Sequence, residues 1–400
     1  MVELVAECGY DTFAVTTLAS RARVSKRDFY KHFTGKEECF VASYDSIAGR
    51  SVRGIRAATE DQAEWRERLR LGILAFAGQI ADNPGAAQLT LVEVFSASAA
   101  AVERMLCTNR LLEAMVAQNF ALAEEAPNPP LLIVKGVVAG CAWVTRGRLL
   151  SDGRDPALDG SELAEWALRL CDEDLTRLHG LAAAAPCRPT DVPAAPLAKA
   201  PGDERRLILA ATAKLASSEG YATLTAPRVR AAAGVSKRSF DRHFEGMPDC
   251  FLSMLGTLSG RILAGAEPFF RTADDWASGV QRMVAGLCQH LAQDPAFASL
   301  AFLETFSPGV EVVKWRCEMI ARLASTLRRE CPPAKRPTTL AAEASIGAMW
   351  GAIHHLVATG HSAQLPAAAP LLSYIALAPA LGGPAAAEAV AAQAHSRRDR

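Results

Sequence analysis

One stretch of this chain occurs twice at a fixed offset, and that constrains the fold more than any other feature. GYDTFAVTTLASRARVSKRDFYKHFTGKEECF begins at Gly9 and GYATLTAPRVRAAAGVSKRSFDRHFEGMPDCF begins at Gly220, an offset of 211 positions. Between Gly9 and Arg50, 16 of 42 aligned positions are identical, including Val24-Ser25-Lys26-Arg27 against Val235-Ser236-Lys237-Arg238. The register holds far downstream. Trp65 meets Trp276, Pro84 meets Pro295, Glu93 meets Glu304, Phe95 meets Phe306, Gly136 meets Gly347 and Gly140 meets Gly351. A gapless match of this length means two copies of one domain, each much larger than a solenoid repeat.

Half of the 400 residues are hydrophobic and 22% are charged, which is a globular composition. Ala-rich sequence without strand alternation predicts an all-α fold. The formal net charge is zero, so a nucleic-acid site has to be a local basic patch. The ten cysteines form no C-x-x-C pair, which fits reduced thiols in a cytoplasmic core and no metal site. The N-terminus MVELVAECGYDTF has no basic lead and is not a signal peptide. The nearest approach to a membrane span is Leu131 to Val144, interrupted by Lys135, so no membrane association is expected.

The segment Leu181–Gly202 has five prolines and many alanines and reads as a linker. Its 22 residues reach about 25 Å as a relaxed coil, from about 5–6 Å × √22. The expected layout is a first head over 1–50, a first helical body over 51–180, and the linker over 181–202. A second head follows over 203–261, a second body over 262–381 and a frayed tail over 382–400. Met1 aligns with Thr212, so the first copy lacks about two turns of the helix that opens the second. Either the gene start is misplaced or the first head is truncated.

Within the first head, VTTLASRARVSKRDFYKHF divides into helix, turn and helix. Leu18, Ala19 and Ala22 make an apolar stripe, and Arg23-Val24-Ser25 is the turn. Ser25 is placed to cap the next helix, with Asp28 completing a capping box. Phe29 and Phe33 bury one face, while Arg27 and Lys31 point away from it beside Tyr30. From Lys26 to Phe33 such a helix is about 12 Å long, a length that suits the DNA major groove. Lys26 and Arg27 are expected at base edges, and Ser25, Tyr30 and His32 at phosphates. Lys36, at the start of the next helix, is a further phosphate contact. The second head keeps Ser236, Lys237, Arg238, Arg242 and His243.

This pattern resembles the TetR/AcrR family of bacterial regulators over Met1–Arg50 and Asp203–Arg261, and loosely over the bodies. The resemblance implies two repeats, each a three-helix helix-turn-helix head with a helical-bundle body for ligand binding and dimerisation. It also implies a double-stranded DNA operator and a small-molecule effector bound in the body, whose arrival releases DNA. The copies depart from the pattern in different places. The turn glycine is Gly234 but Arg23, the recognition-helix tyrosine is Tyr30 but Asp241, and the following lysine is Lys36 but Met247.

Candidate effector-lining residues are Phe76, Phe95, Met115 and Trp143 in the first body, and Phe302, Phe306, Trp350 and His354 in the second. The plainer reading of such residues at helical spacing is packed core. Glu93 and Glu304 are expected to be structural. Leu131–Leu150 and Leu340–Thr359, with their paired glycines, form the expected pairing surface together with Glu162–His179 and Ala367–Leu381. The two bodies would then pair within one chain as a pseudo-dimer, with further self-association left open.

The leading expectation is a ligand-responsive DNA-binding repressor. The alternative is a tandem ligand- or protein-binding module with degenerate heads. No nucleophile elbow, metalloprotease helix, phosphate loop or dinucleotide fingerprint is present, so neither an enzyme nor a cofactor is expected.

Overall fold

The structure is a computed structural model that describes residues 1–121, 129–151, 158–171, 203–271, 273–304 and 309–398. The expected linker and Phe306 lie outside them. Among the described residues there is no strand. In chain order the helices are α1 (Val2–Cys8), α2 (Val15–Arg21), α3 (Lys26–His32), α4 (Lys36–Thr59), α5 (Trp65–Asp82), α6 (Pro84–Ala87), α7 (Val94–Ala97), α8 (Ala99–Ala121), α9 (Leu131–Leu149) and α10 (Gly160–Cys171). The second repeat gives α11 (Glu204–Glu219), α12 (Ala226–Ala233), α13 (Lys237–His243), α14 (Met247–Arg271), α15 (Trp276–Gln293), α16 (Pro295–Phe302), α17 (Val310–Glu330), α18 (Thr339–Ala358), α19 (Leu365–Leu381) and α20 (Gly383–Arg398).

The chain falls into two compact units. Unit 1 takes Met1–Thr176, Gly309–Gly351 and Ala378–Pro384. Unit 2 takes Arg177–Pro308, Ala352–Leu377 and Ala385–Arg400. Unit 1 therefore contains first-repeat helices together with α17 and the first part of α18.

Inside unit 1, α5 packs on α4 and α10, with Trp65, Leu69 and Ile73 among its buried residues. Helix α9 meets α18 at small residues. A Cβ added at Gly140 would stand 2.7 Å from Ala344 O and overlap the Trp166 ring, and one at Gly347 would stand 2.8 Å from Trp143 Cβ. Only hydrogen fits there, so the glycines set the separation of the helices. Trp166 of α10 is 1% exposed, and its indole N–H donates to Ser345 Oγ at 2.9 Å.

Each head is tied to its own body by one carboxylate. Glu93 closes a π-helical turn, Gln88–Glu93, and accepts the Tyr10 backbone N–H at 2.9 Å. Burial pushes the Glu93 carboxyl up, and the Tyr10 hydrogen bond opposes that. Glu304 accepts the Tyr221 N–H at 2.7 Å. The recurrence of these two acids in the sequence is thus the recurrence of one head-to-body tether.

The molecule departs from the sequence expectation in two places. The expected frayed tail is helical up to Arg398, with Ala386, Ala387 and Val390 buried in one stripe. High Ala helix propensity and three- and four-residue apolar spacing account for it. Among the described residues the stretch that comes nearest to a membrane span is Ser362–Leu381, not Leu131–Val144. By length and composition it could cross a membrane, but 67% of it is buried inside the protein, as a core helix would be.

Candidate nucleic-acid interface

The first head is organised around the turn between α2 and α3. The Val24 N–H donates to Ala19 O at 3.0 Å and the Arg23 N–H to Ser20 O at 3.0 Å, which closes the end of α2. That closure requires a left-handed residue. Arg23 supplies it with φ 55, the only non-glycine residue with positive φ among the described residues. In the second head Gly234 has φ 67, with the same pair of bonds to Arg230 O and Ala231 O. A side chain in this conformation costs about 1 kcal/mol relative to glycine.

Ser25 then caps α3. Its Oγ accepts the Asp28 N–H at 3.0 Å and donates to Asp28 Oδ2 at 2.7 Å. The Asp28 carboxylate therefore closes on the Ser25 hydroxyl, where the capping box expected it on the backbone. Lys31 Nζ also bonds Asp28, at 2.6 Å, and Lys31 first and Ser25 second hold the Asp28 carboxyl below its usual range. Phe29 is buried and Phe33 half-buried, with ring centroids 5.4 Å apart. That face anchors α3 and turns the other one outward. Ser25, Lys26, Arg27, Tyr30, Lys31 and His32 are all exposed, Tyr30 by 54%. Among the described residues no carboxylate pairs with Lys26 or Arg27.

Lys36 has a different place. Its ammonium donates to Tyr10 O and Phe13 O, both at 2.9 Å, and sits 4.1 Å from the Tyr10 ring centroid. It ties α4 to the segment after α1, so the ammonium expected at phosphate is bonded within its own head. Lys36→Met, which installs the residue of the second head, is expected to lower stability by about 1–2 kcal/mol through two lost charged hydrogen bonds. A fall in the urea midpoint at unchanged slope is the measurement.

In the second head Ser236 caps α13 by accepting the Ser239 N–H at 3.1 Å, and Phe240 and Phe244 are buried. Lys237, Arg238, Asp241 and Arg242 are exposed and His243 is half-buried. Glu204, in the first turn of α11, changes the electrostatics. Ser239 Oγ donates to it at 2.5 Å, and Arg242 and His243 lie 3.7 and 3.9 Å from the same oxygen. With Asp241, two carboxylates face this surface, where the first recognition helix has the single carboxylate Asp28, already paired with Lys31. Asp241 is legible in the sequence and Glu204 is not, because it lies 35 positions before Ser239 and is joined to it only by folding.

The family model described as bacterial regulatory proteins, tetR family, matches residues 2–42 and again residues 208–254. The chain carries two TetR-family heads. The HTH-type transcriptional activator FasR of Mycolicibacterium smegmatis is similar at 25% identity over 170 residues, covering 41% of this chain and 77% of FasR. A solved structure of the fatty acid degradation regulator FadR from Bacillus halodurans aligns over 45% of this chain and 97% of its own, with 17% identity and a TM-score of 0.37. DNA-binding transcription regulation is the class to which the TetR-family heads point.

Behind the first TetR-family head, three of the expected lining residues come together in unit 1. The Arg146 guanidinium lies 5.3 Å from the Phe95 ring centroid and 4.6 Å from that of Trp143. Arg316 lies 5.1 Å from Trp143 and 4.6 Å from Trp350. Rings and cations alternate. Arg146 is 3% exposed and Arg316 1%, and Arg146 Nε also donates to Leu91 O at 2.8 Å. Burial pulls the guanidinium pKa values down to about 10 for Arg146 and about 9 for Arg316. Neither arginine was expected at this place; Arg146, close after the apolar run Gly136–Val144, was the available signal. Phe76 and Met115 are half-buried on α5 and α8. In unit 2, Phe302 is buried on α16 and His354 is half-buried.

Proposed function

We propose that this chain is a sequence-specific, ligand-responsive repressor whose two repeats pair within one chain. In this reading 1–50 and 203–261 are the heads, 51–180 and 262–381 are the bodies, and 181–202 joins them. The observation that carries it is the exposed row Lys26, Arg27, Tyr30 and His32, set on a capped, Phe-anchored helix after a closed turn. Arginine there is suited to guanine edges, and hydroxyl and imidazole groups to phosphate. Pairing within the chain is supported by the close contact of α9 and α10 with α17 and α18 inside unit 1. For the effector, two buried cations between aromatic rings favour an anionic ligand. A reading in which the second head has given up DNA for another partner is favoured by Glu204 and Asp241 alone.

Light scattering on the protein with a duplex selected from a random pool tests the reading. The free protein is expected near 42.5 kDa, and the complex at one chain per duplex with two protected half-sites. An obligate dimer of chains overturns the internal pairing. Failure to select any duplex overturns DNA binding.

A further inference from the structure

The turn before α3 needs a left-handed residue, and glycine serves in the second head. The first head carries Arg23 there and accepts the backbone strain. Strain of this kind, held at the edge of a binding surface, points to a use for the side chain. Arg23 is exposed and lies three residues before Lys26. It lines an open hollow of about 610 Å³ together with Thr16, Thr17, Ser20 and Arg21. Arg21 is engaged by Glu7 through two bonds of 2.7 Å. Among the described residues no carboxylate pairs with Arg23. The hollow thus presents one uncommitted cation and three hydroxyls, and no acid lines it. That donor set fits a phosphate, whose oxygens only accept.

We propose that Arg23 grips a phosphate of the DNA backbone at the turn, beside the base-reading helix, and so makes the first head the stronger of the two. The proposal rests on the DNA-binding reading above. It also explains an exchange between the copies: the second head has the relaxed turn and no cation at this point, and the first has the cation and the strain. The hollow belongs to α2 and the turn, apart from the α3 face assigned to bases. Its contribution is therefore expected to be independent of sequence.

The test uses the full chain and three substitutions. Arg23→Gly removes both strain and charge, Arg23→Asn keeps a residue that tolerates left-handed backbone without the charge, and Arg23→Lys keeps the charge. Gly is expected to raise the thermal midpoint by a few degrees while weakening DNA. Both Gly and Asn are expected to bind roughly 5–10-fold more weakly at 0.1 M salt, with the slope of log affinity against log salt smaller by about one. The loss should be equal on a selected duplex and on a random one. Lys is expected to keep the parent's slope. If Gly raises the midpoint and leaves affinity and slope unchanged, Arg23 is a solvated strain and the proposal is overturned, while DNA binding stands. A loss confined to the selected duplex makes Arg23 a base contact and overturns the phosphate assignment. A parent that binds no duplex at all overturns the DNA-binding reading, and this inference with it.

Discussion

Trp166→Ala is expected to destabilise unit 1 by about 3–5 kcal/mol, the range for removing a fully buried large aromatic side chain. Three features put it at the upper end. Trp166 is 1% exposed, so nearly all of its apolar surface is lost to the contact. Its ring edge fills the space left open by Gly140, so truncation leaves a cavity between the helices. Its N–H bond to Ser345 is buried, so truncation also orphans the Ser345 hydroxyl. Ser345→Ala separates the polar part from the packing part. It leaves the ring in place and is expected to cost about 1–3 kcal/mol for the unpaired indole N–H. Both are read as the fall in urea midpoint by far-UV circular dichroism at constant slope. A Trp166→Ala shift no larger than that of Ser345→Ala would mean that the ring contributes only its hydrogen bond, and the close packing of α10 with α18 would lose its stabilising role.

The heads were the most legible part of the chain because their signals are local. A Ser before a basic stretch, two phenylalanines four apart and a turn residue aligned with glycine all act within about two helical turns. Capping by Ser25 and positive φ at Arg23 follow from such neighbours. The tether made by Lys36 is not legible in the sequence, for the opposite reason. The carbonyls that hold it belong to Tyr10 and Phe13, 26 and 23 positions earlier. A lysine at a helix start looks the same whether it faces phosphate or its own head.

The bodies were legible as helices and much less so as sites. The recurrent glycines of α9 and α18 announced a close crossing, since small residues four apart bring backbones together, and the crossing occurs in unit 1. The alternation of Phe95, Arg146, Trp143, Arg316 and Trp350 had no such announcement. It draws on α7, α9, α17 and α18, and Arg316 falls in a helix rich in ordinary surface charge. Only burial separates it from Arg322 and Arg329 on the same helix. The tail was misread because alanine runs near a terminus look like fraying until a buried stripe is found beneath them.

Arg27→Ala is expected to cost about 1–3 kcal/mol on a selected duplex, roughly 5- to 150-fold in affinity, and to relax preference at one or two base pairs. Arg238→Ala, the same change in the second head, is expected to cost clearly less. The two arginines share a sequence context of Val-Ser-Lys-Arg and both are exposed, so their difference has to come from what surrounds them. Around Arg27 the recognition face offers Lys26, Tyr30 and His32, and its one carboxylate, Asp28, is held by Lys31 and Ser25. Around Arg238 it offers Asp241, and behind it Glu204 holds Ser239 and stands within 4 Å of both Arg242 and His243. Carboxylates at that face repel phosphate, so the second recognition helix is expected to sit further from the groove or less often in it. An Arg reads guanine only when phosphate contacts have set its register. The preferred site is therefore expected to be an imperfect palindrome with one strong half. Titration of parent, Arg27→Ala and Arg238→Ala on duplexes with either half-site scrambled gives the answer directly. The two variants losing affinity equally, each through its own half-site, would show that Glu204 and Asp241 do not weaken the second head, and the asymmetry would have to be abandoned.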